Sequence, residues 1–345
     1  MQSPLAVVER GGRVESVHSG SVAVVTADGT LVASAGDPDA IVFARSALKP
    51  LQALPFVAAG GPARFGLSAR HVALMCASHS GEAKHQAGVA DLLARAGCTP
   101  GELLCGTHAP YVYDTQHEPP PPPPYSPLAN NCSGKHAGML AACVLHGWPR
   151  ANYLDPAHPL QADIRAAIGR LAGVRADALA PAVDGCSAPT YAVPLAGLAT
   201  AFARLAGGGE PADRSACATL ADAMTSHPDY VSGTGRGDFT LMRAGRGAWV
   251  AKMGAEGVQA IGIKGAGLGI AVKVADGGAR AVLPVAIAVL EALGLVDADA
   301  RRGLAPSAEP VLHNACGTAT GRVRPVVVLD RGSGNQESGS AEGRR

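Results

Sequence analysis

The chain has 345 residues and a mass of 34.6 kDa, enough for one large domain or two ordinary ones. Hydrophobic residues make up 47% of it, so a sizeable core can form. The 29 Lys and Arg residues almost balance the 28 Asp and Glu residues, and only 4% of residues are aromatic. Neither nucleic acid nor a membrane surface is therefore expected as a partner, because both attract a basic patch.

No targeting or membrane segment is predicted. The N-terminus lacks a positively charged start followed by an apolar run, and Pro284–Leu295, the stretch that comes nearest to a membrane span, is too short. The eight cysteines are scattered without a compact framework, which favours reduced thiols over disulfides. We expect a soluble, cytoplasmic protein.

The N-terminal region predicts a β-meander. Glycine reaches positive φ without steric cost, so Gly11-Gly12 and Asp28-Gly29 suit tight hairpin turns. The predicted strands are Leu5–Glu9, Val14–His18, Ser21–Thr26 and Leu31–Ala35.

Helical patterns dominate the middle of the chain, where Pro55 should kink or end the first helix early. The predicted helices are Ser46–Ala59, Ala69–Met75, Glu82–Ala96, Lys135–Leu145, Leu160–Ala172 and Pro194–Ala206. The run Pro119–Pro124 can be neither helix nor central strand and predicts an extended surface loop. A proline-recognising partner is an alternative to a simple insertion there.

Strands return in the last hundred residues. They are predicted at Trp249–Met253, Val258–Ile263 and Leu268–Val274, with a helix to about Leu293 and a late strand at Val326–Leu329. Strands at both ends with helices between them predict an α+β fold whose antiparallel sheet joins the two termini. We assign residues 1–330 to a single domain and expect a disordered tail at 331–345, which is rich in Gly, Ser and charge.

The segment Arg45–Pro50 contains a serine and a lysine at i and i+3, a spacing that places Ser46 and Lys49 on one face of a helix. Serine is a poor nucleophile unless a neighbouring base takes its proton. Lysine can be that base when burial or a second cation lowers its pKa. Alone, the pattern is weak, because a surface lysine near a helix start has the same spacing.

Four further segments carry more reactive side chains than their predicted structural roles require. Each has a structural alternative: Ser78 could cap a helix, Asp184 could close an Asx turn, and Lys252 could be a solvated strand-end residue. Together they place hydroxyl, amine, thiol and carboxylate groups in loops, where active sites usually form. The segments are Cys76–Glu82, Asn130–Gly138, Asp184–Pro189 and Ala251–Gly257.

These motifs carry a resemblance. The S-x-x-K segment with the late K-x-G at Lys252-Met253-Gly254 resembles the serine β-lactamases and penicillin-binding proteins. The complete set, in this order, resembles the L-asparaginase II family, typified by the inducible rhizobial asparaginases. The matching segments are Arg45-Ser46-Ala47-Leu48-Lys49-Pro50, Ala77-Ser78-His79-Ser80-Gly81-Glu82, Asn131-Cys132-Ser133-Gly134-Lys135-His136, Asp184-Gly185-Cys186 and Lys252-Met253-Gly254-Ala255-Glu256-Gly257.

The resemblance implies an L-asparaginase with a β-lactamase-like fold, usually a homodimer, that releases L-aspartate and ammonia. The family's two serine–lysine pairs match Ser46 with Lys49 and Ser78 with Lys252, although Lys264 competes for the last position. The family's zinc site, two cysteines and a lysine, matches Cys132, Cys186 and Lys135, and its substrate-contacting arginine and aspartate match Arg45 and Asp184. His79 and His136 adjoin the proposed site and are further candidates for substrate binding; each could equally hold a loop by hydrogen bonds.

Our working hypothesis makes Ser46 the nucleophile and Lys49 its base, with Ser78 and Lys252 relaying protons or orienting the first pair; the reverse assignment stays open. Glutaminase or another small-amide amidohydrolase is the nearest alternative, since one methylene discriminates only modestly. A penicillin-recognising hydrolase and a non-catalytic zinc-binding protein are the others. Arg236-Gly237-Asp238 matches an adhesion tripeptide by its letters only.

Overall fold

The computed structural model describes residues 1–331 of the chain. Its strands are β1 Ser3–Arg10, β2 Arg13–Thr26, β3 Leu31–Ala35, β4 Ile41–Phe43, β5 Pro181–Val183, β6 Pro189–Pro194, β7 Trp249–Gly254, β8 Val258–Ile263, β9 Leu268–Val274, β10 Val311–His313, β11 Ala319–Pro325 and β12 Asp330–Arg331.

Helices fill most of the sequence between the two groups of strands. They are α1 Lys49–Ala58, α2 Gly61–Arg64, α3 Ala69–Met75, α4 Ala83–Arg95, α5 Val112–Gln116, α6 Ser133–His146, α7 Pro159–Ala172, α8 Leu195–Ala203, α9 Pro211–Ser226, α10 Pro228–Val231, α11 Gly237–Ala244, α12 Ala279–Ala292 and α13 Ala298–Ala308. Within the described residues, none is long and apolar enough to cross a membrane.

One antiparallel sheet combines strands from both ends of the chain. Its order is β10-β11-β1-β2-β9-β8-β7, and β3 pairs with both β2 and β12. The register joins Ala6 to Pro325 and Val22 to Val272, so the first strands pair directly with the last ones. The predicted α+β class, with a sheet built from both termini, is confirmed.

The N-terminal hairpin shows how glycine fixes this arrangement. Gly11 and Gly12 have φ values of 55° and 76°, as the predicted tight turn between β1 and β2 requires. Gly20 lies in the middle of β2, where a Cβ would meet the backbone oxygen of Lys273 at 2.0 Å. The absent side chain therefore lets β9 approach, and β2 continues as one strand where the sequence predicted two.

Helices cover both faces of the sheet. Helix α8 packs on β2, β8 and β9, while α12 packs on β1, β9 and β11. Every residue of β8 is buried as a result, which explains why all its side chains except that of Gln259 are apolar or absent. A second group of helices, α1, α3, α6, α7 and α9, packs mutually beside α8 and carries most of the candidate site.

Some expectations about secondary structure are wrong. Val326–Leu329 is not a strand; it links β11 to β12, although the amide of Val326 still donates to Leu5 O. Helix α1 continues through Pro55 to Ala58. Helices α9, α11 and α13 were not predicted. The expected disordered tail lies outside the described residues except for Arg331, which ends β12.

The small sheet β4-β6-β5 and the edge strand β7 frame the candidate site. Strand β7 packs against the 3-10 turn Arg45–Leu48, which leads directly into α1. The approach is close, since a Cβ on Gly254 would lie 2.4 Å from Ala44 O. The glycine of the K-x-G segment therefore allows β7 to contact the turn that carries Ser46.

Candidate active site

The turn Arg45–Leu48 presents two of the predicted site residues. Arg45 has a φ of 52°, in the left-handed region that non-glycine residues rarely adopt. Such a conformation costs about 1–3 kcal/mol and is typical of sites where the surrounding structure imposes it. Ser46, the next residue, is half-buried, whereas Lys49 at the start of α1 is buried.

The Lys49 ammonium reaches across to the loop after α3. Its Nζ lies 2.6 Å from Ala77 O, 2.9 Å from Ser78 Oγ and 3.5 Å from Asn131 O. The hydroxyl that contacts Lys49 is thus that of Ser78, not that of Ser46, so the hydrogen bond joins one member of each predicted pair. Tertiary structure brings together a serine and a lysine that lie 29 residues apart.

The Ser78 backbone is fixed on both sides. Its amide donates to Val231 O at 2.8 Å, and Arg236 Nη1 donates to its carbonyl at 2.9 Å. Sequence reasoning missed Arg236, whose guanidinium also lies 5.2 Å from the centre of the Tyr111 ring. Burial lowers the pKa of Arg236. The loop that carries Ser78 is therefore held by hydrogen bonds on both sides, and the one from Arg236 is partly buried.

His79 holds the same loop. Gly81 donates its amide to Nδ1 at 3.1 Å, so Nε2 carries the proton of the neutral ring and donates to Ser133 Oγ at 2.9 Å. Burial lowers the pKa of His79 well below its ordinary value. Both ring nitrogens are used within the protein, which favours the loop-holding alternative over substrate binding.

Lys252 is completely buried on β7. Its Nζ donates to Asp238 Oδ2 and to Met253 O, both at 2.9 Å. Burial lowers the pKa of Lys252 to about 8; the nearby positive charge of Lys49 acts in the same direction, and Asp238 opposes both. The competing residue Lys264 instead donates to Asp222 at 2.7 Å and is a quarter exposed.

Arg45 and Asp184 form an ion pair at the edge of the candidate site. Arg45 Nε lies 2.7 Å from Asp184 Oδ1, which also accepts the amide of Gly185 at 2.7 Å. The amide of Asp184 donates to Ala188 O, which closes the loop. These contacts use Nε of the arginine and Oδ1 of the aspartate.

Cys132, Lys135 and Cys186 converge beside this ion pair. Lys135 Nζ lies 2.9 Å from Cys186 Sγ, and all three side chains are buried. A hydrogen bond from Cys132, together with the positive charge of Lys135, lowers the pKa of the Cys186 thiol. Burial lowers the pKa of the Lys135 amine, but Cys186, Cys132 and Asp184 together have the larger opposite effect, so this pKa is raised. Of the two thiols in the cluster, Cys186 is the one whose pKa is lowered.

His136 is also buried, and its ring extends the cluster. The Leu104 amide donates to the Tyr153 hydroxyl at 2.9 Å, so this hydroxyl donates its own proton to His136 Nδ1 at 2.7 Å. The proton of the neutral ring then sits on Nε2, which faces Cys186 and has no hydrogen bond of good geometry. Burial lowers the pKa of His136 to about 4, so the ring is neutral.

The cluster fits a thiophilic metal ion. Two sulfurs and a nitrogen are ligands that zinc prefers, and here they converge in one buried cluster. Within residues 1–331 no three His, Cys, Asp or Glu side chains form a metal-binding group, so the set reaches three donors only with Lys135. The amine would have to lose its proton to bind.

The predicted residues occupy one connected region. The turn that contains Arg45 and Ser46 leads directly into Lys49. Lys49 contacts Ser78, and Asp184 contacts Arg45. The Cys132–Lys135–Cys186 cluster joins the region through Cys186, two residues after Asp184, and Lys252 joins it through β7. Sequence reasoning missed Asp238 and Arg236, whose only signal was a tripeptide of two charged residues at a helix start.

The chain matches a family model over nearly its whole length. This model is described as L-asparaginase II and matches residues 6–325. No curated protein matches the chain. Among solved structures, the chain is similar to Mglu in its glutamate form, with 18% identity, a TM-score of 0.37, and 80% of this chain and 61% of that chain covered. It is also similar to a β-lactamase from Mycobacterium bovis, with 18% identity, a TM-score of 0.42, and coverages of 79% and 94%. The chain thus spans 61% of the length of Mglu.

Proposed function

Because the chain belongs to the L-asparaginase II family, we propose that it hydrolyses L-asparagine to L-aspartate and ammonia with a serine activated by lysine. The contact of 2.9 Å between Lys49 Nζ and Ser78 Oγ, one turn from Ser46, is the observation that carries this proposal. A serine within hydrogen-bond reach of a buried amine is the arrangement that acyl transfer through a serine requires.

The partners of Lys49 suit a base. A neutral amine has two N–H groups and one lone pair. In its neutral form, Lys49 could donate these two N–H groups to Ala77 O and Asn131 O and accept the proton of Ser78 with its lone pair. The contacts direct the amine at the Ser78 hydroxyl, so Lys49 is the group placed to take a serine proton.

The reaction then follows with its protons accounted for. The Oγ of Ser46 attacks the side-chain amide carbon, and its proton passes to Lys49, directly or through Ser78. Lys49 returns this proton to the amide nitrogen, the C–N bond breaks, and ammonia leaves an ester on the serine. Water then attacks the ester and Lys49 accepts one of its protons. Lys49 returns this proton to Ser46 Oγ as the C–O bond breaks, and aspartate is released. We favour Ser46 as the nucleophile because its side chain is half-buried and more open to a substrate, whereas Ser78 is buried.

Arg45 and Asp184 would recognise the amino-acid end of the substrate. Their ion pair leaves the Nη groups of the arginine for an α-carboxylate and Oδ2 of the aspartate for an α-ammonium group. His136 stays a predicted substrate contact, although its burial means that a substrate would have to reach it through the cluster. Recognition of both charged groups favours a free amino acid over a peptide.

Cys132, Lys135 and Cys186 would hold zinc. When bound, the ion would supply a fixed positive charge and Lewis acidity beside Asp184. In the metal-free protein the same residues position the loop that carries Asp184, because Lys135 contacts Cys186 two residues further along the chain.

The test is ammonia release from L-asparagine and L-glutamine, measured in parallel. We expect asparagine to be preferred, and expect Ser46→Ala and Lys49→Ala to abolish the activity. Lys264→Ala should retain it, because Lys264 is a partly exposed lysine that pairs with Asp222. Mass spectrometry of protein trapped with a slow substrate should find the acyl group on Ser46. Acylation of Ser78 would reverse the assignment, and unchanged hydrolysis by the Lys49 variant would refute the mechanism.

The other candidates separate in the same experiments. Preferred release from glutamine would make the protein a glutaminase, turnover of a chromogenic β-lactam would favour a penicillin-recognising hydrolase, and no release from either amide would favour a non-catalytic zinc-binding protein. We also propose a homodimer in the cytoplasm; light scattering after gel filtration and cell fractionation test these two statements.

A further inference from the structure

We propose that Asp238, at the start of α11, is a positioning residue that orients Lys252 and keeps its proton available to the reaction. This inference rests on the proposed amidohydrolase function, because it assigns Lys252 to that site. The side chains of Asp238 and Lys252 are both completely buried, and they contact each other at 2.9 Å.

The carboxylate is held from two directions. Oδ2 accepts from Lys252, and Oδ1 accepts from Gln259 Nε2 at 3.2 Å. Gln259 lies on β8 and pairs in the sheet register with Met253, the residue after Lys252. Helix α11 and two neighbouring strands thus fix one carboxylate, and the carboxylate fixes the position of the amine.

The hydrogen bonds of Lys252 leave one donor unused. Asp238 and Met253 O accept two of the three N–H groups of the ammonium. We assign the third N–H group to the proposed serine hydroxyls. The fixed carboxylate of Asp238 therefore sets the direction of the remaining N–H group of Lys252.

The charges around Lys252 give Asp238 a second effect. Lys49 on α1 and Arg236 before α11 are positive, and both disfavour a further cation. Burial raises the pKa of Cys76, after α3, to about 12, so that thiol is neutral. Asp238 is the acid that contacts the amine, and it offsets burial and both cations. Without it, Lys252 would lose its proton at lower pH.

The experiment compares the pH profiles of ammonia release by the wild-type protein and by Asp238→Asn. We expect kcat to fall with little change in KM, and the limb of the profile governed by Lys252 to move toward lower pH by about 1–3 units. Asp213→Asn is the matched control, since Asp213 is a buried carboxylate paired with Arg170 far from the site. Its profile should superimpose on that of the wild type. An Asp238→Asn profile that also superimposes would overturn the proposal.

A thermal-unfolding cycle tests the same contact without activity. Lys252→Met should lower the melting temperature by leaving Asp238 buried and unpaired, and adding Asp238→Asn should raise it again. If Asp238→Asn costs the same in both backgrounds, the two residues act independently and the proposal is wrong. Absence of ammonia release by the wild type would refute the proposed function, whereas this cycle would still report on the pair.

Discussion

Gly254→Ala should move the edge strand β7 away from the turn Arg45–Leu48. The new Cβ would lie 2.4 Å from Ala44 O, whereas real Cβ atoms essentially never come within 3.0 Å of another atom. The contact must therefore open by about 0.6 Å, and overpacking of this kind costs about 1–3 kcal/mol. Because Ala44 directly precedes Arg45 and Ser46, the displacement moves the proposed nucleophile relative to Lys252. A misplacement approaching 1 Å can lower kcat by ~10²-fold.

The assay is ammonia release from asparagine, corrected for the folded fraction measured by thermal unfolding. Gly262→Ala on the neighbouring strand β8 is the matched control, because its Cβ would lie 2.2 Å from Phe202 O, away from the site. Both variants should be destabilised, but only Gly254→Ala should lose kcat. Equal kcat values for the two folded variants would refute the reasoning, since the contact with Ala44 would then have no effect on the site.

Three further outcomes are expected. Lys49→Met should lower kcat by about 10²–10⁴-fold, the typical contribution of general base catalysis, with KM nearly unchanged in steady-state kinetics. Cys132→Ser with Cys186→Ser should remove zinc measured by elemental mass spectrometry, while Cys217→Ser, a buried cysteine outside the cluster, should retain it; equal zinc contents would reject the metal site. Between pH 8 and 10.5 the unfolded chain binds a proton at Lys252 that the folded protein does not. The free energy of unfolding of the wild type should therefore rise through this range, relative to the variant lacking both members of that buried ion pair, by up to about 1.4 kcal/mol per pH unit. Parallel denaturation curves would contradict this.

Local patterns predicted the regular elements well where burial is uniform. The bounds of β8 and β9 agree with the sequence, because apolar runs between glycine turns leave few alternatives. Val326–Leu329 has the same apolar character, yet it forms no strand; whether a ladder forms depends on a neighbour that the sequence does not identify. Similarly, the polar stretch Ser19-Gly20 resembled a turn, and only the approach of β9 makes it part of β2.

The candidate site was predicted as a set of residues but not as a set of contacts. Spacing placed Ser46 beside Lys49, yet a long lysine side chain bonds whichever hydroxyl the tertiary structure brings near, and Ser78 comes from a distant loop. Asp238 was missed for a related reason. Nothing in its local sequence indicates burial, which follows from Lys252 on another element.

The pairing of the first strands with the last has a consequence for how the protein is made. A ribosome delivers the turn bearing Ser46 early, whereas the edge strand that faces it and β11, the partner of β1, emerge roughly two hundred or more residues later. Most long-range contacts of the sheet can form only after β7 and β11 have emerged. A topology of this kind slows folding. Until then the unpaired N-terminal hairpin is exposed to other chains, and no hydrolytic centre exists. Activity is thus acquired only after β7 and β11 have emerged, when the first and the late strands of the sheet pair.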